Sequence, residues 1–449
     1  MLILRVLMLS GVCAVGEAPS LENAMPVRVV GPWSISVGPG TIVVNDEEVS
    51  LPEGITLEIE PSGIIPVRDE AYASVPVFNE KAGGWCKGAK LRKLITEECT
   101  ATDALVAKSL RIKPSEGDVA AYTLGTDYVM DGFWGTFGRL AGSTIGAQQE
   151  VFVDYDYSPC RLDSVVVDKA GHVRLLKGTP DLGVVLPPEP AAGERAIVNI
   201  WVASRLGKLS EENLFPIEFR EPAEPAVGPS AAERFLPKTL GKLRAGEPVT
   251  IVAWGDSVTN GGGVGARTEQ WYQQQFEVLL KARFPQAPIT MLTAAWPGGS
   301  SRTYMQAPPG GERDFVRDVL EPKPDLVTIE FVNDAYLDEE GTMAHYAKIL
   351  DHLQGVGAEV VLITPHLVRP DWLRVNTLKV DADPRPYVKG LRRFAGENGL
   401  ALADASTEWC GLWRKGIPYV TLLANSINHP DVRGHAIFAQ VLMGLFPEK

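Results

Sequence analysis

The sequence from Val249 to Ser257 is V-T-I-V-A-W-G-D-S, and residues 258–263 continue as V-T-N-G-G-G. The first six residues are apolar or β-branched, which is typical of a buried strand. A serine on a tight, glycine-flanked turn after a strand is how an α/β enzyme presents a nucleophile above its sheet. Near the C-terminus, residues 428–435 are N-H-P-D-V-R-G-H. His429 in this stretch is a candidate base for activating Ser257.

Working outward from this turn, the C-terminal half alternates apolar strands with helical patterns. Tyr272, Phe276, Leu279 and Leu280 recur at the spacing of a helix that packs on a sheet. Alternation of this kind requires parallel pairing with right-handed crossovers. We therefore predict a three-layer, flavodoxin-like α/β domain with a parallel sheet over residues 237–449. Its strands are expected at residues 249–254, 289–294, 326–331, 360–364 and 400–403.

The N-terminal half has a different pattern, with short alternating or β-branched runs separated by glycine and proline turns. We predict a β-rich, sandwich-like accessory domain over residues 19–220. It should contain a hairpin around residues 168–171 and one helix near Thr102–Ser109. Residues 221–236 are rich in proline and alanine and are predicted to be a linker. A chain of 449 residues has room for two such domains.

The first 18 residues are predicted to be a signal peptide. Arg5 precedes a short apolar run over residues 6–15, and residues 14–16 offer a small-x-small cleavage site. A buried first strand is the alternative interpretation. The signal peptide predicts a secreted or periplasmic protein. No other segment approaches about 18 uninterrupted apolar residues, so no transmembrane segment is expected.

Composition narrows the classes of partner. Hydrophobic residues make up 45% and charged residues 22%, as in soluble globular proteins. The 43 basic and 56 acidic side chains give a net charge of −13, which repels phosphate backbones, so nucleic acid is not expected as a partner. The six histidines lack metal-ligand spacing, and we expect no metal and no other cofactor. Cys86 and Cys99 could form a disulfide bridge or stay free thiols, and the sequence leaves this open.

Four blocks in the C-terminal half together resemble the SGNH hydrolases, also called GDSL esterases and lipases. They occur in the family's order, and the first three directly follow predicted strands. The resemblance covers the C-terminal half and says nothing about the first half. The blocks are G-D-S-V at 255–258, A-W-P-G-G-S-S at 295–301, F-V-N-D at 331–334 and N-H-P at 428–430.

The resemblance implies a role for each block. Ser257 would be the nucleophile and His429 the base. The oxyanion hole would consist of the backbone N–H groups of Ser257 and Gly298 and the side-chain amide of Asn333. We choose Gly298 over Gly299 because it is five residues after Thr293, which occupies the family's usual asparagine position.

Structural roles are the competing interpretations of these residues. Ser257 could cap a helix, and Asn333 could be a turn residue. His435 follows a glycine at a predicted helix start, so we expect capping or packing there and prefer His429 as the base.

The sequence departs from the family pattern at the position of the catalytic acid. Three residues before the histidine, where the family has an acidic residue, this chain has Ser426. Without that carboxylate, the imidazole needs another group to orient it. We therefore expect a Ser-His dyad or a displaced third member. The candidates are Ser426, Asn425, Asp431, Asp404 or a backbone carbonyl.

A second departure from the family pattern concerns the acyl pocket. Phe331 stands where a glycine commonly precedes the asparagine block, and we expect it to narrow the acyl pocket.

Three aromatic residues near the blocks bear on the substrate class. Trp254, Trp296 and Tyr304 could stack on a sugar or belong to the core, and aromatic residues beside a strand more often belong to the core.

The function that we predict is an exported serine esterase. It would hydrolyse short-chain, acetyl-type esters on carbohydrate, because the loops near the blocks are polar and glycine-rich. The substrate would be a small-molecule or polysaccharide ester. The alternatives are a lipase or lysophospholipase-type esterase, and an inactive SGNH-fold binding protein.

Overall fold

The computed structural model describes residues 25–218 and 228–447, which form two compact units. The C-terminal unit contains residues 228–412 and 428–447. The N-terminal unit contains residues 25–218 and 413–427. The predicted signal peptide, and residues 221–227 of the predicted linker, lie outside the described residues.

The N-terminal unit is built from short strands that pair antiparallel, which confirms the predicted β-rich fold. The sheets have the strand orders β1-β2-β5, β3-β4, β10-β13-β6, β11-β12-β7, β8-β9 and β15-β14-β16-β17. The strands are β1 Val27–Gly31, β2 Ser34–Val37, β3 Gly40–Val44, β4 Glu47–Leu51, β5 Ile55–Glu58, β6 Ile65–Tyr72, β7 Ala89–Lys90, β8 Ile95–Thr96, β9 Cys99–Thr100, β10 Arg111–Lys113, β11 Tyr128–Asp131, β12 Thr136–Arg139, β13 Val151–Tyr157, β14 Arg161–Asp168, β15 Val173–Leu176, β16 Glu194–Val202 and β17 Leu214–Pro216.

The two largest apolar cores of this unit lie between these sheets. One core contains Ile35 and Val44 from the first strands together with Val165 and Ile200 from β14 and β16. The other contains buried residues from the part of the chain between residues 72 and 155, among them Tyr155 of β13. The predicted hairpin is confirmed, since β14 and β15 pair antiparallel around the turn at residues 168–171.

The helix predicted near Thr102–Ser109 is wrong. This segment contains only a 3-10 turn at Ala107–Ser109. Asp103 has a φ of 58°, which a helix does not allow, and Leu105 pairs with Tyr157 at the end of β13. Pairing with a neighbouring strand therefore replaces the helical hydrogen bonds of this segment.

The C-terminal unit is a three-layer α/β domain, which confirms the predicted fold class. Its five strands pair in parallel in the order β19-β18-β20-β21-β22. The strands are β18 Val249–Gly255, β19 Ile289–Ala295, β20 Leu326–Glu330, β21 Glu359–Ile363 and β22 Ala401–Ala403. The helices are α1 Ala231–Phe235, α2 Pro237–Ala245, α3 Tyr272–Arg283, α4 Ser301–Met305, α5 Glu339–Gly355, α6 Pro370–Leu373, α7 Pro386–Asn398, α8 Ala405–Cys410 and α9 Val432–Met443.

Helices form a layer on each side of this sheet. On one side, alternate strand residues such as Val252, Trp254 and Ile329 pack against α5 and α7. On the other, α3 packs on α9, with the ring of Tyr272 5.5 Å from that of Phe438. The predicted apolar stripe of α3 is buried except for Leu279, which is 38% exposed.

The division of the chain differs from the predicted domain boundaries in two places. Helix α1 lies inside the predicted linker, where Ser230 accepts the N–H of Glu233 at 3.2 Å and caps the helix. Residues 413–427 belong to the N-terminal unit, although the predicted C-terminal domain included them. Within the N-terminal unit, Asn199 Nδ2 donates to the carbonyl of Gly416 at 2.8 Å. This hydrogen bond attaches residues 413–427 to the strands of the N-terminal unit.

Two further properties bear on the sequence predictions. In the described residues, Cys86, Cys99, Cys160 and Cys410 are free thiols, so Cys86 and Cys99 are not bridged. Of the helices in residues 25–218 and 228–447, none combines the length and the apolar character that a membrane-spanning helix requires.

Two glycines of α7 test the packing of α7 against α5. A Cβ at Gly390 would lie 2.6 Å from Thr342 Cβ on α5, whereas a Cβ at Gly396 would meet no atom within 4 Å. Gly390→Ala should therefore lower the free energy of unfolding by about 1–3 kcal/mol through overpacking. Gly396→Ala is the matched control and should raise it by about 0.5–1 kcal/mol, because alanine favours the helix. Denaturant unfolding measures both, and equal effects would contradict this account of the interface.

Candidate active site

The predicted site residues follow the carboxyl ends of three neighbouring strands. Ser257 comes two residues after the end of β18, Gly298 three residues after β19, and Asn333 three residues after β20. Because parallel strands end at the same edge of a sheet, these three turns lie side by side. The backbone N–H of Trp296 donates to the carbonyl of Gly255 at 3.0 Å and joins the first two turns.

Ser257 and His429 form a hydrogen-bonded pair. The Nε2 atom of His429 lies 3.0 Å from the Oγ atom of Ser257, although the two residues are 172 positions apart in the chain. Ser257 is buried and His429 is partly buried. The distance is within the range that a general base needs to take a proton from a serine hydroxyl.

The carboxylate of Asp256 joins the serine turn to the asparagine turn. Its Oδ1 atom accepts the N–H of Val258 at 3.1 Å, and its Oδ2 atom accepts the N–H of Asn333 at 2.9 Å. Asp256 is fully buried, and burial raises its pKa to about 7 even though these two N–H groups favour the charged form. The side chain therefore links two turns and does not face the solvent.

The candidate oxyanion donors are arranged around the turn after β19. Gly298 has a φ of 74°, and the N–H of Gly299 donates to the carbonyl of Trp296 at 2.9 Å. In the described part of the chain, the N–H groups of Ser257 and Gly298 have no hydrogen-bond acceptor. Asn333 Nδ2 donates to the carbonyl of Gly299 at 3.1 Å, which places its amide beside the same turn. The choice of Gly298 over Gly299 agrees with this hydrogen bonding, because the N–H of Gly299 is already engaged.

A buried network holds the glycine turn against the asparagine turn. The N–H of Ser301 donates to Asp334 Oδ1 at 3.0 Å, and its hydroxyl also hydrogen-bonds to this carboxylate. The Oγ atom of Ser301 lies 2.8 Å from His345 Nε2. Burial lowers the pKa of His345 to about 4, so the imidazole is neutral and donates to Ser301. The sequence offered no motif around His345 and did not predict this role.

Two buried histidines hold backbone carbonyls close to His429, one in the residue before it and one in the glycine loop that packs on it. His366 Nε2 donates to the carbonyl of Asn428 at 2.7 Å, and His435 Nε2 donates to the carbonyl of Gly262 at 2.9 Å. His435 Nδ1 accepts the N–H of Tyr272 at 3.2 Å. Burial lowers the pKa of His435 to about 4 and that of His366 well below its usual value, so both are neutral. His435 is thus a packing residue, as predicted, but its support of the glycine loop was not foreseen.

The glycine loop that follows the serine turn packs closely on His429. A Cβ at Gly262 would lie 2.9 Å from His429 Cδ2 and 2.9 Å from the carbonyl oxygen of Ser257. A Cβ at Gly263 would lie 2.0 Å from the carbonyl oxygen of Pro430. The loop needs glycine here because a side chain would displace the imidazole.

The side chains that were candidates for orienting His429 have partners of their own. The carboxylate of Asp404 accepts from Arg392 and Thr364, and that of Asp431 accepts from the N–H groups of Arg433 and Gly434 at the start of α9. Both carboxylates are therefore occupied as helix caps and ion pairs.

The other two candidates belong to the segment of the N-terminal unit that precedes His429. Asn425 Nδ2 donates to Glu98 Oε1 at 2.8 Å, and Asn425 Oδ1 accepts the N–H of Ile427 at 2.9 Å. Ser426 has a φ of 61° in the turn between them, and its N–H donates to the carbonyl of Leu423 at 3.0 Å. Both residues thus shape the turn by which the chain reaches His429.

The aromatic residues near the blocks are part of the core. Phe331 is fully buried, with its ring 5.0 Å from that of Trp254, so the expectation that it narrows the acyl pocket is wrong. Trp254 and Tyr304 are also buried, which leaves them no face for a sugar. Trp296 is partly buried and packs on the same cluster. The alternation of strand residues turns Phe331 away from the site.

Glu330, the last residue of β20, is a fully buried carboxyl group beneath the site. In the described residues, neither of its side-chain oxygens has a hydrogen-bond partner. Burial, together with the nearby charge of Asp256, raises the pKa of Glu330 well above its usual value.

Comparison with known proteins identifies the part of the chain that carries this site. Residues 253–437 match the model of the GDSL-like lipase/acylhydrolase family. The comparison with curated proteins found no match.

Several solved structures are similar to about half of the chain. A two-domain esterase, CEX, active on acetylated mannans is 23% identical over 48% of this chain and 53% of its own, with a TM-score of 0.38. The acetyl xylan esterase AlAXEase is 20% identical over 43% of this chain and 98% of its own, with a TM-score of 0.35. A lipase/acylhydrolase from Enterococcus faecalis is 17% identical over 43% of this chain and 93% of its own, with a TM-score of 0.32. The match therefore spans about half the length of the two-domain esterase.

The buried carboxyl of Glu330 gives a prediction about stability and pH. Because its pKa is raised in the folded state, the folded protein keeps a proton that the unfolded chain loses above about pH 4.5. The free energy of unfolding of the wild type therefore falls as the pH rises towards the folded-state pKa of Glu330. Glu330→Gln cannot lose that proton, so its free energy of unfolding relative to the wild type should rise by up to about 1.4 kcal/mol per pH unit above pH 5.

Denaturant unfolding at pH 5, 7 and 8.5 measures this difference. Glu321→Gln, at an exposed position, is the matched control and should give the same difference at each pH. A difference for Glu330→Gln that does not change with pH would show that Glu330 titrates as in the unfolded chain.

Proposed function

Since residues 253–437 match the model of the GDSL-like lipase/acylhydrolase family, we propose that the protein is a serine esterase that hydrolyses short-chain, acetyl-type esters on carbohydrate. The observation that carries the proposal is the hydrogen bond of 3.0 Å between Ser257 Oγ and His429 Nε2. Export of the protein, which the N-terminal sequence predicts, would place it where glycan esters occur.

The proposed reaction begins with attack by Ser257 Oγ on the carbonyl carbon of the ester, while His429 Nε2 takes the hydroxyl proton. His429 then gives this proton to the leaving alcohol as the C–O bond breaks, and an acyl-enzyme remains. Water attacks the acyl-enzyme with His429 again as base, and the acid and free Ser257 are released. As the acid leaves, His429 returns the proton taken from water to Ser257 Oγ, so every proton transfer passes through His429 Nε2.

The negative oxygen of each tetrahedral intermediate needs donors that are already in place. The N–H groups of Ser257 and Gly298 are candidates because they have no acceptor within the described residues. Asn333 Nδ2 has a second hydrogen besides the one it donates to Gly299. A single donor of this type is worth about 3 kcal/mol in well-studied acyl-transfer enzymes.

The groove beside Asn333 has both polar and apolar lining. Its volume is about 380 Å³, and Arg374, Arg385 and Asn428 line it together with the apolar Val332, Val368 and Trp372. The large aromatic residues nearby, Phe331 and Trp254, lie in the core and offer no apolar channel. A long acyl chain binds well only where an extended apolar surface removes it from water, whereas an acetyl group has little apolar area to bury.

Replacement of the nucleophile tests the proposal directly. Ser257→Ala should lower kcat/KM for p-nitrophenyl acetate at least about 10³-fold, because the covalent route is lost. The wild type should hydrolyse p-nitrophenyl acetate and show little turnover of p-nitrophenyl decanoate. Ser257 should also be labelled by a fluorophosphonate, which requires an activated serine.

Each alternative gives a different result in this experiment. Equal or greater turnover of the decanoate would indicate a lipase-type esterase. No turnover of either ester, together with no fluorophosphonate labelling of Ser257, would indicate an inactive binding protein.

The close packing of the glycine loop gives a second test. Gly262→Ala should displace His429 and lower kcat for p-nitrophenyl acetate about 10- to 100-fold, because a base misplaced by about 1 Å transfers protons poorly. Gly396→Ala on α7 makes the same chemical change far from the loop and is the control. Thermal unfolding separates the effects, since a loss of kcat without a matching loss of folded protein supports the proposal. Unchanged kcat in Gly262→Ala would contradict the assignment of His429 as the base.

A further inference from the structure

The turn that carries Gly298 is anchored at both ends. At its start, the N–H of Trp296 donates to the carbonyl of Gly255 at 3.0 Å. At its end, the N–H of Ser301, the first residue of α4, donates to Asp334 Oδ1 at 3.0 Å. Between these anchors, Gly298 has a φ of 74°. The position of the Gly298 N–H therefore depends on how firmly residues 296 and 301 are held.

The hydroxyl of Ser301 takes part in two hydrogen bonds, and together they fix their direction. Its Oγ atom hydrogen-bonds to the carboxylate of Asp334 and lies 2.8 Å from His345 Nε2. A hydroxyl has a single hydrogen, which the carboxylate takes, so Ser301 Oγ accepts the Nε2–H of His345. All three side chains are buried. Loss of the histidine donor would leave a buried oxygen with one partner fewer, which is costly.

Helix α5 supplies a second donor directly beside the first. The hydroxyl of Tyr346 donates to Asp334 Oδ2 at 3.0 Å, and it lies 2.5 Å from the hydroxyl of Tyr387 on α7. Asp334 directly follows Asn333, whose side-chain amide is a candidate oxyanion donor. His345 and Tyr346 are neighbours on α5, so one helix holds both turns that carry oxyanion donors.

The catalytic value of a donor depends on its place. An oxyanion donor acts only when it lies about 2.7–3.1 Å from the position that the negative oxygen will occupy. A shift of about 1 Å in such a group can lower the rate about 100-fold. Ser301 is three residues after Gly298, so a loosened Ser301 would let the Gly298 N–H move by a distance that matters.

We propose that His345 is a positioning residue of the oxyanion hole, whose Nε2–H acts through the hydroxyl of Ser301 to hold the Gly298 N–H in place. This inference rests on the proposed esterase function and adds to it a residue that lies outside the family's sequence blocks. The role requires an N–H donor and neither a charge nor an aromatic ring. A different side chain with an N–H at the same place should therefore serve, and an apolar side chain of the same size should not.

The test compares His345→Gln with His345→Met, which have side chains of similar size and differ in the N–H donor. His345→Met should lower kcat for p-nitrophenyl acetate about 10- to 100-fold and leave KM within about twofold, because the oxyanion donors act on the tetrahedral intermediate. His345→Gln should stay within about threefold of the wild type, since its amide can donate to Ser301.

Inhibition by trifluoroacetone provides a second measurement that reports on the oxyanion hole itself. Ser257 Oγ adds to the carbonyl carbon of this ketone, the hydroxyl proton passes to His429, and the carbonyl oxygen becomes a negative oxygen. Its inhibition constant should rise in His345→Met by about the factor by which kcat falls, and change little in His345→Gln. A purely structural role of His345 would not make the two quantities change in parallel.

His352→Gln and His352→Met are the matched controls, because they make the same changes at an exposed position of α5. Both should keep the kcat and the inhibition constant of the wild type. Thermal unfolding shows whether each variant is folded. Should His345→Met fail to fold, Ser301→Ala removes the acceptor from the other end of the hydrogen bond and should give the same loss of kcat. On a Ser301→Ala background, moreover, His345→Gln should lose its advantage over His345→Met.

Two results would overturn the inference and leave the esterase proposal intact, provided that the wild type hydrolyses p-nitrophenyl acetate through Ser257. One is an equal kcat in His345→Gln and His345→Met, or a wild-type kcat in Ser301→Ala. The other is a lower kcat in His345→Met with an unchanged inhibition constant for trifluoroacetone. Absence of Ser257-dependent hydrolysis in the wild type would instead reject the esterase proposal, and the inference with it.

Discussion

The hydrogen bonds of the Asp256 carboxylate tie together the turns on which the candidate site is built. One oxygen accepts from the turn that carries Ser257, and the other accepts from the turn that carries Asn333. Parallel strands bring the two turns to the same edge of the sheet, but they do not fix the distance between them. The Asp256 carboxylate fixes this distance from a buried position, where hydrogen bonds are strong because water does not compete. Ser301 and Asp334 extend this link to the turn that carries Gly298.

Neutral buried groups support the site around this link. His345, His366 and His435 are each held uncharged by burial, and each hydrogen-bonds a loop that flanks the reacting residues. A charged histidine in these positions would bring a large cost of desolvation. A neutral imidazole with a defined tautomer instead provides a directed donor. The proposed chemistry at Ser257 and His429 thus rests on polar groups that do not themselves react.

Much of the C-terminal unit follows from local sequence. The five strands lie where runs of apolar residues predict them, because a strand buried between two helical layers must be apolar on both faces. The N-terminal unit is less predictable, because short strands of many small sheets carry weak periodic signals. The segment near Thr102–Ser109 shows this, since pairing with Tyr157 overrides its local preference for a helix.

The sequence by itself determined the fold class of each half and the identities of Ser257, His429, Gly298 and Asn333 as candidates, because strand-end motifs are local and ordered. Only the tertiary structure decided what these residues touch. The 3.0 Å contact of Ser257 with His429 joins positions 172 residues apart, and no local pattern encodes such a distance. The inward packing of Phe331 and the hydrogen bond between His345 and Ser301 were also decided there. Burial and hydrogen bonding depend on which distant segments come together, and this depends on the packing of the whole unit.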